Sequence, residues 1–442
     1  MAQIAPEAAR PGGDARAASA PMFERTALPG GPRVISARLP GTRSLSVAAY
    51  VLVGSRQESR EKAGLAHFME HITFRGTAGY ATSREVSEAI EGVGGTSNAA
   101  TDRESTVYWT RLPVREAERA FSVLADLVVR PRLRSEDIAR ERDIIVEEIR
   151  SYRDDPGQFV FNVFDTAFYG DDPLGWEIAG TEETVTALTD DDIRAFWAAG
   201  YGPGNLVIAA AGDLPHERVV ELAARSFGTG AGAPGPWQPA PAPLPRQRIL
   251  IEHRNTAQAH LCLGLPALPR DHPDQWTLEL LNAVLGEGTS SRLFLAVREE
   301  AGLAYDVHSF QSDYADAGTL QVYAGVDPDD LSRALGAILL ELARLRDEPV
   351  PQSEIDKARN YVTGRLELRL EESRNMASWL GAQEALHARV LTVEDAIAAL
   401  GAVTPAAVTE LAGRLFRDDA LSLAVIGPRR ATRGLAKALR LP

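Results

Sequence analysis

Cysteine is nearly absent. Of 442 residues only Cys262 carries a thiol, so no disulfide can form within the chain. It lies in the apolar, strand-like run AHLCLGL and reads as a small buried hydrophobe, compatible with a reducing compartment. No apolar run is long enough to cross a bilayer as a helix, so no membrane partner is expected. Runs of Lys and Arg are missing too, and the formal net charge is −14, which argues against nucleic acid as a partner. That charge favours basic or weakly charged peptides over acidic ones. The opening residues, MAQIAPEAARPGGDARAASAP, lack the apolar core of a secretory signal. Their Ala, Pro and Gly content predicts a disordered leader over residues 1–22, only weakly like an organellar transit peptide, and a cytoplasmic location is the expectation. Hydrophobic content of 45% and charged content of 24% are globular values, and the length calls for more than one domain.

Against this background, five residues stand out: His67, Phe68, Met69, Glu70 and His71, spelling H-x-x-E-H within GLAHFMEHITF. The apolar periodicity predicts a helix, and positions i, i+3 and i+4 of a helix share one face. Two neutral imidazoles so placed can hold zinc, and the carboxylate beside them can act as a base toward water. The order inverts the H-E-x-x-H motif and is the inverzincin signature. A solvated helix face would fit the spacing alone. Here, however, Leu65, Ala66, Phe68, Met69, Ile72 and Phe74 surround the three polar residues, and ionisable groups in such a setting are costly unless paired or metal-bound.

A catalytic zinc usually takes a third protein ligand. SEDIARERDIIVEEIRSY, residues 135–152, predicts a second helix, with Ser135 as a candidate N-cap. Helical phase separates its acids. Glu147 shares a polar face with Asp143, Arg150 and Asp154, whereas Glu148 shares a mostly apolar face with Glu141, Ile145 and Tyr152. An inward carboxylate is the better ligand, which selects Glu148. Glu141, one heptad earlier, is either a support behind the ligands or a salt-bridged surface acid.

GLAHFMEHITFRGT followed by ERDIIVEEI resembles the pitrilysin, or M16, zinc metallopeptidases, over nearly the whole chain. That family places its ligand Glu about seventy-five residues after H-x-x-E-H, while the metal chemistry itself is general. The resemblance implies one zinc per chain on His67, His71 and Glu148, with Glu70 as base. GGTSNAATDREST resembles the edge strand that pairs with substrate, which implies substrate contacts at Asn98 and Ala99. TSSRLFLAVREEAGLAYDVHS carries Arg298 and Tyr305, which resemble a pair that contacts the peptide near the scissile bond. Both can donate to a carbonyl oxygen gaining negative charge. Read without the resemblance, Arg298 could pair with Glu299 or Glu300 and Tyr305 could be core. One departure is DDPLGWEIAG, with Asp172 where the family often has His and Trp176 where a small or basic residue is usual. It bears on packing or specificity, not on zinc.

The chain also reads as two similar halves about the Pro-rich segment 229–246, TGAGAPGPWQPAPAPLPR. STVYWTRLPVREAERAFSVLADLV matches GTLQVYAGVDPDDLSRALGAILLEL, and the halves close with NLVIAAAGDL and LSLAVIGP. The expected fold is therefore α+β: two homologous domains, residues 23–228 and 247–442, each a mixed or antiparallel sheet with helices packed on one face. The second copy lacks paired His at the motif position. The Gly-rich GVGGTS lacks the Lys of a phosphate loop and more simply turns into the edge strand. Of the remaining histidines only His308, near Tyr305, stands close to a candidate site residue. Together these readings predict a zinc-dependent endopeptidase acting on peptides, and the resemblance implies that it works within a dimeric chamber. The preferred partner is a second copy, with a related subunit as the other choice. The rivals are a non-catalytic peptide-binding or scaffold subunit and a dedicated precursor-processing protease.

Overall fold

Two runs of β-branched and small apolar residues in each half, bounded by Gly, Pro and Asp, form the centres of two sheets. The computed structural model describes residues 22–230 and 245–442; all of the predicted leader but Met22, and most of segment 229–246, lie outside the described residues. The first sheet holds β1 (Glu24–Ala27), β2 (Arg33–Arg38), β3 (Ser44–Val51), β4 (Thr96–Thr101), β5 (Thr106–Pro113) and β6 (Leu206–Gly212) in the order β1-β2-β6-β3-β5-β4. The second holds β7 (Ile249–His253), β8 (Ala259–Pro266), β9 (Ala304–Asp313), β10 (Gly318–Val326) and β11 (Ser422–Gly427) in the order β7-β11-β8-β10-β9. In both, one parallel pairing (β2 with β6, β7 with β11) is followed by antiparallel pairings only. The repeat read from the sequence is thus a repeat of strand order and direction, with β1 as an addition to the first copy.

Each half packs its own helices on one face of its sheet. In the first, Val34, Leu45, Val47, Ala49, Val51, Ile208 and Ala210 meet Phe121, Leu124 and Val128 of helix Ala117–Val129 and Phe68 and Met69 of the motif helix. The opposite face is not left to water. Ile35, Ala48, Tyr50, Val207, Ala209 and Ala211 pack on Met376, Ala377 and Leu380 of helix Ser373–Leu386, which belongs to the second half. The exchange is reciprocal: Phe159, Val160, Val163 and Phe164 of helix Pro156–Tyr169 cover Cys262, Tyr323, Ala424 and Ile426 of the second sheet. Burial on both faces explains why β6 and β11 are almost wholly apolar and buried along their lengths.

Two glycines mark where the exchanged helices come close. A Cβ on Gly264 would lie 2.3 Å from the Phe164 ring, and one on Gly381 would lie 2.4 Å from the Tyr50 ring. A charged junction joins the halves elsewhere. Arg56, with no side-chain exposure, donates to Glu104 at 2.7 Å and pairs with Asp316 at 2.7 Å. Glu104 also accepts from Arg270 at 2.6 Å and from the Ala315 backbone N–H at 3.1 Å. Contacts therefore cross freely between the halves that the repeat pattern delimits. Among the described residues no single helix is long and apolar enough to cross a membrane.

Candidate metal centre

The motif helix, Leu65–Ile72, spans only eight residues and is fixed by its surroundings. Leu65, Phe68, Met69 and Ile72 bury one face in the first core, each 4% exposed or less. The N-terminus is held by Glu58, whose buried carboxylate accepts the N–H groups of Gly64 at 2.8 Å and Ala66 at 2.6 Å. Burial pushes the Glu58 carboxyl up to about 8, against the pull of these donors and of Arg103. Such N–H groups would otherwise have no partner within the helix. With the helix so fixed, His67, Glu70 and His71 are half-buried on its remaining face.

The long helix Ser135–Asp154 brings the third residue. Glu148 Oε2 lies 3.3 Å from His71 Nε2 and Glu148 Oε1 lies 3.8 Å from His67 Nε2. One donor atom from each of His67, His71 and Glu148 falls within 4.8 Å of the others, the only such triad among the described residues. Burial drives the His67 imidazole down to about 3, helped by His71, so it stays neutral and keeps a lone pair. Two Nε2 atoms and a carboxylate converging this way fit a tetrahedral zinc site with one open position.

Glu141 stands behind the triad. Its side chain is 2% exposed and accepts from His71 Nδ1 at 3.0 Å and from Arg75. A proton on Nδ1 turns the Nε2 lone pair toward the opening, the usual arrangement behind a metal-ligating His. Burial alone would raise the Glu141 carboxyl, but the His71 and Arg75 hydrogen bonds outweigh it and hold it below its ordinary value. For His71, burial opposes the charge, while Glu141 and Glu148 together raise its pKa. Replacing Glu141 by Ala is expected to weaken zinc binding about 10–100-fold, measured by competition with a chelator. An unchanged affinity would reduce Glu141 to a structural acid.

Glu70 sits beside the triad with one oxygen engaged: Thr101 of β4 donates to Glu70 Oε2 at 2.6 Å. Burial raises the Glu70 carboxyl, and the Thr101 bond partly offsets this. The same strand carries Asn98, exposed, and Ala99, buried. The Ala99 N–H is held by the Asn98 side-chain oxygen at 2.9 Å. β4 ends its sheet, and among the described residues no strand pairs with its outer edge. The turn predicted from GVGGTS leads into it.

One expectation changes, and one alternative falls. Glu148 is not on an inward face: its side chain is 49% exposed, and Tyr152 on the same stripe is 39% exposed. The burial that guided the choice belongs to Ile138, Glu141, Ile145 and Ile149. Tyr305 is not core either; it is 77% exposed, with the Arg298 guanidinium 5.4 Å from its ring centre. Arg298 lies 3.9 Å from Glu299, the pairing weighed for it. Among the described residues neither forms a hydrogen bond or ion pair with the His67–His71–Glu148 triad. Asp172 caps its own turn by accepting the Leu174 N–H at 2.9 Å, and Trp176 lies under Arg60 at 5.9 Å, both packing roles. His308 pairs with Asp306 at 3.3 Å. Glu58, Thr101 and Arg75 were not foreseen. Thr101 lies within the quoted edge-strand segment, but nothing local in the sequence connects it to Glu70.

Comparison with known proteins bears on the family of the chain. The model of the insulinase family, peptidase family M16, matches residues 33–182, and that of the peptidase M16 inactive domain matches residues 187–362. An uncharacterized zinc protease of Streptomyces coelicolor is 36% identical over 411 residues, covering 91% of this chain and 89% of its own. One of Bacillus subtilis is 34% identical over 407 residues, covering 92% and 98%. Among solved structures, a Helicobacter pylori protease superposes with a TM-score of 0.85 at 23% identity, covering 92% of this chain and all of its own. A Pseudomonas fluorescens peptidase M16 inactive domain gives 0.85 at 21%, covering 92% and 98%. Relatives named as zinc proteases, aligned nearly end to end, place this chain in the M16 peptidase family, as a member of its short, two-domain type.

Proposed function

We propose that this chain is a zinc-dependent endopeptidase that cuts peptides or unfolded segments. The observation that carries the reading is the convergence of His67, His71 and Glu148 beside a carboxylate, Glu70, whose orientation is fixed from the neighbouring strand. One zinc per chain would be held by those three side chains. When bound, the metal supplies a Lewis acid and lowers the pKa of water toward neutrality.

The remaining work falls to the chain. Glu70 takes the proton of the attacking water on the oxygen that Thr101 leaves free, then passes it to the leaving amine nitrogen. Glu141 keeps the His71 ring and its tautomer in place. The peptide adds as a strand to the open edge of β4, displacing the Asn98 side chain from the Ala99 N–H. Arg298 and Tyr305 would donate to the peptide near the cut. The chamber would be completed by a second chain, a homodimer in preference to a heterodimer with a related subunit, since this one chain carries both the triad and the Arg/Tyr pair. On this reading residues 23–228 form the zinc-binding unit and 247–442 the unit carrying the Arg/Tyr pair, in a cytoplasmic enzyme.

Metal analysis together with hydrolysis of a mixed quenched-peptide library, before and after chelation, tests it. About one zinc per chain and chelator-sensitive cleavage are expected. Cleavage that survives complete metal removal would sink the proposal.

A further inference from the structure

Glu148 is the most exposed of the three clustered residues: its side chain is 49% exposed, against 12% for His67 and 21% for His71. The site therefore opens over the stripe of helix Ser135–Asp154 that carries it. On that stripe Ile144 lies four residues before Glu148 and Tyr152 four residues after. Positions four apart on a helix stand one above the other, about 6 Å apart along the axis. Both are large apolar side chains left in solvent, Ile144 at 43% and Tyr152 at 39% exposure. The helix packs into the core through other residues, Ile138, Ile145 and Ile149, so neither side chain is needed there. The Tyr152 hydroxyl donates to the Gln158 carbonyl at 3.3 Å, which restrains the ring. A peptide that lay over Glu148 would have an isoleucine on one side and a tyrosine ring on the other.

We infer that Ile144 and Tyr152 are specificity-determining residues, forming apolar borders that take apolar side chains flanking the bond to be cut. This rests on the peptidase reading. Continuity with the triad argues for the substrate as occupant: the same stripe presents the metal-facing carboxylate, so whatever occupies that carboxylate's open side covers these two side chains as well. Burying one such side chain of a substrate changes its standing by about tenfold or more, enough to rank one substrate over another.

The test uses the full-length, zinc-loaded protein, a degenerate peptide library and mass spectrometry of the cut sites. Ile144→Ser and Tyr152→Ser are expected to lower kcat/KM about tenfold for peptides with a large apolar residue near the cut. Peptides with small polar residues there should change little. In parallel, zinc-loaded Glu70→Gln protein, alone and with each serine substitution, is assayed for library peptides it retains. Retention of apolar peptides should fall in step. If the unsubstituted protein holds zinc yet cuts nothing, the peptidase reading fails, and retention still judges the borders. Unchanged cut sites and unchanged retention would overturn the inference. So would substitutions that alter only the sedimentation of the protein, the result expected if a second copy covers these side chains.

Discussion

Replacing Glu70 by Gln is expected to leave zinc bound and to lower peptide hydrolysis about 10²–10⁴-fold. The amide keeps the shape of the side chain and its carbonyl oxygen can still accept from Thr101, which donates to Glu70 Oε2 at 2.6 Å. What it loses is the capacity to take a proton. The triad comes from other residues, so metal content should stay near that of the unsubstituted protein. Paired metal analysis and initial rates separate the possibilities. Loss of both metal and activity would mean that Glu70 holds the site together. Retention of both would remove it from the chemistry.

Arg56→Ala should be the most destabilising single change at the junction of the halves, by about 3–5 kcal/mol. The guanidinium is fully buried and bridges Glu104 of the first half to Asp316 of the second. Truncation withdraws a cation from between two carboxylates and leaves a void in the same place. Glu104 keeps Arg270, so the junction is weakened and not abolished. Denaturant midpoints before and after substitution give the number. A change below about 1 kcal/mol would rank the junction with ordinary surface ion pairs. Glu104 also lies on the β4–β5 hairpin, whose strand supplies Thr101, so slackening should reach the base as well as the fold.

The chemistry of the site was legible because its core is local. His67, Glu70 and His71 meet through helical spacing, which sequence displays directly. Glu148 needed one long-range step, and helical phase selected it, although the burial assumed for its face is absent at Glu148 and Tyr152. Glu141 was left between two roles, and its contacts with His71 and Arg75 favour the one behind the triad. Glu58 and Thr101 could not be read: one reaches the helix from a preceding loop, the other from a strand. Neither sits at a spacing that any local periodicity encodes. The duplicated α+β architecture was visible in matching strand–helix segments. The cover on the far face of each sheet was not, because an apolar helix pattern states that a face is buried but not against what.

The helices Pro156–Tyr169 and Ser373–Leu386 each follow a long helix, Ser135–Asp154 and Gln352–Leu370, and so occupy matching places in the two copies. Each lies across the other copy's sheet. A single half standing alone would show water an apolar sheet face and a greasy helix with nowhere to dock. Two such halves would satisfy both by trading the helix, which is the geometry of a domain-swapped dimer. The present chain is that dimer made covalent. Its halves are therefore expected to melt in one transition and not in two, and a backbone cut between residues 230 and 245 should leave the two fragments clasped together.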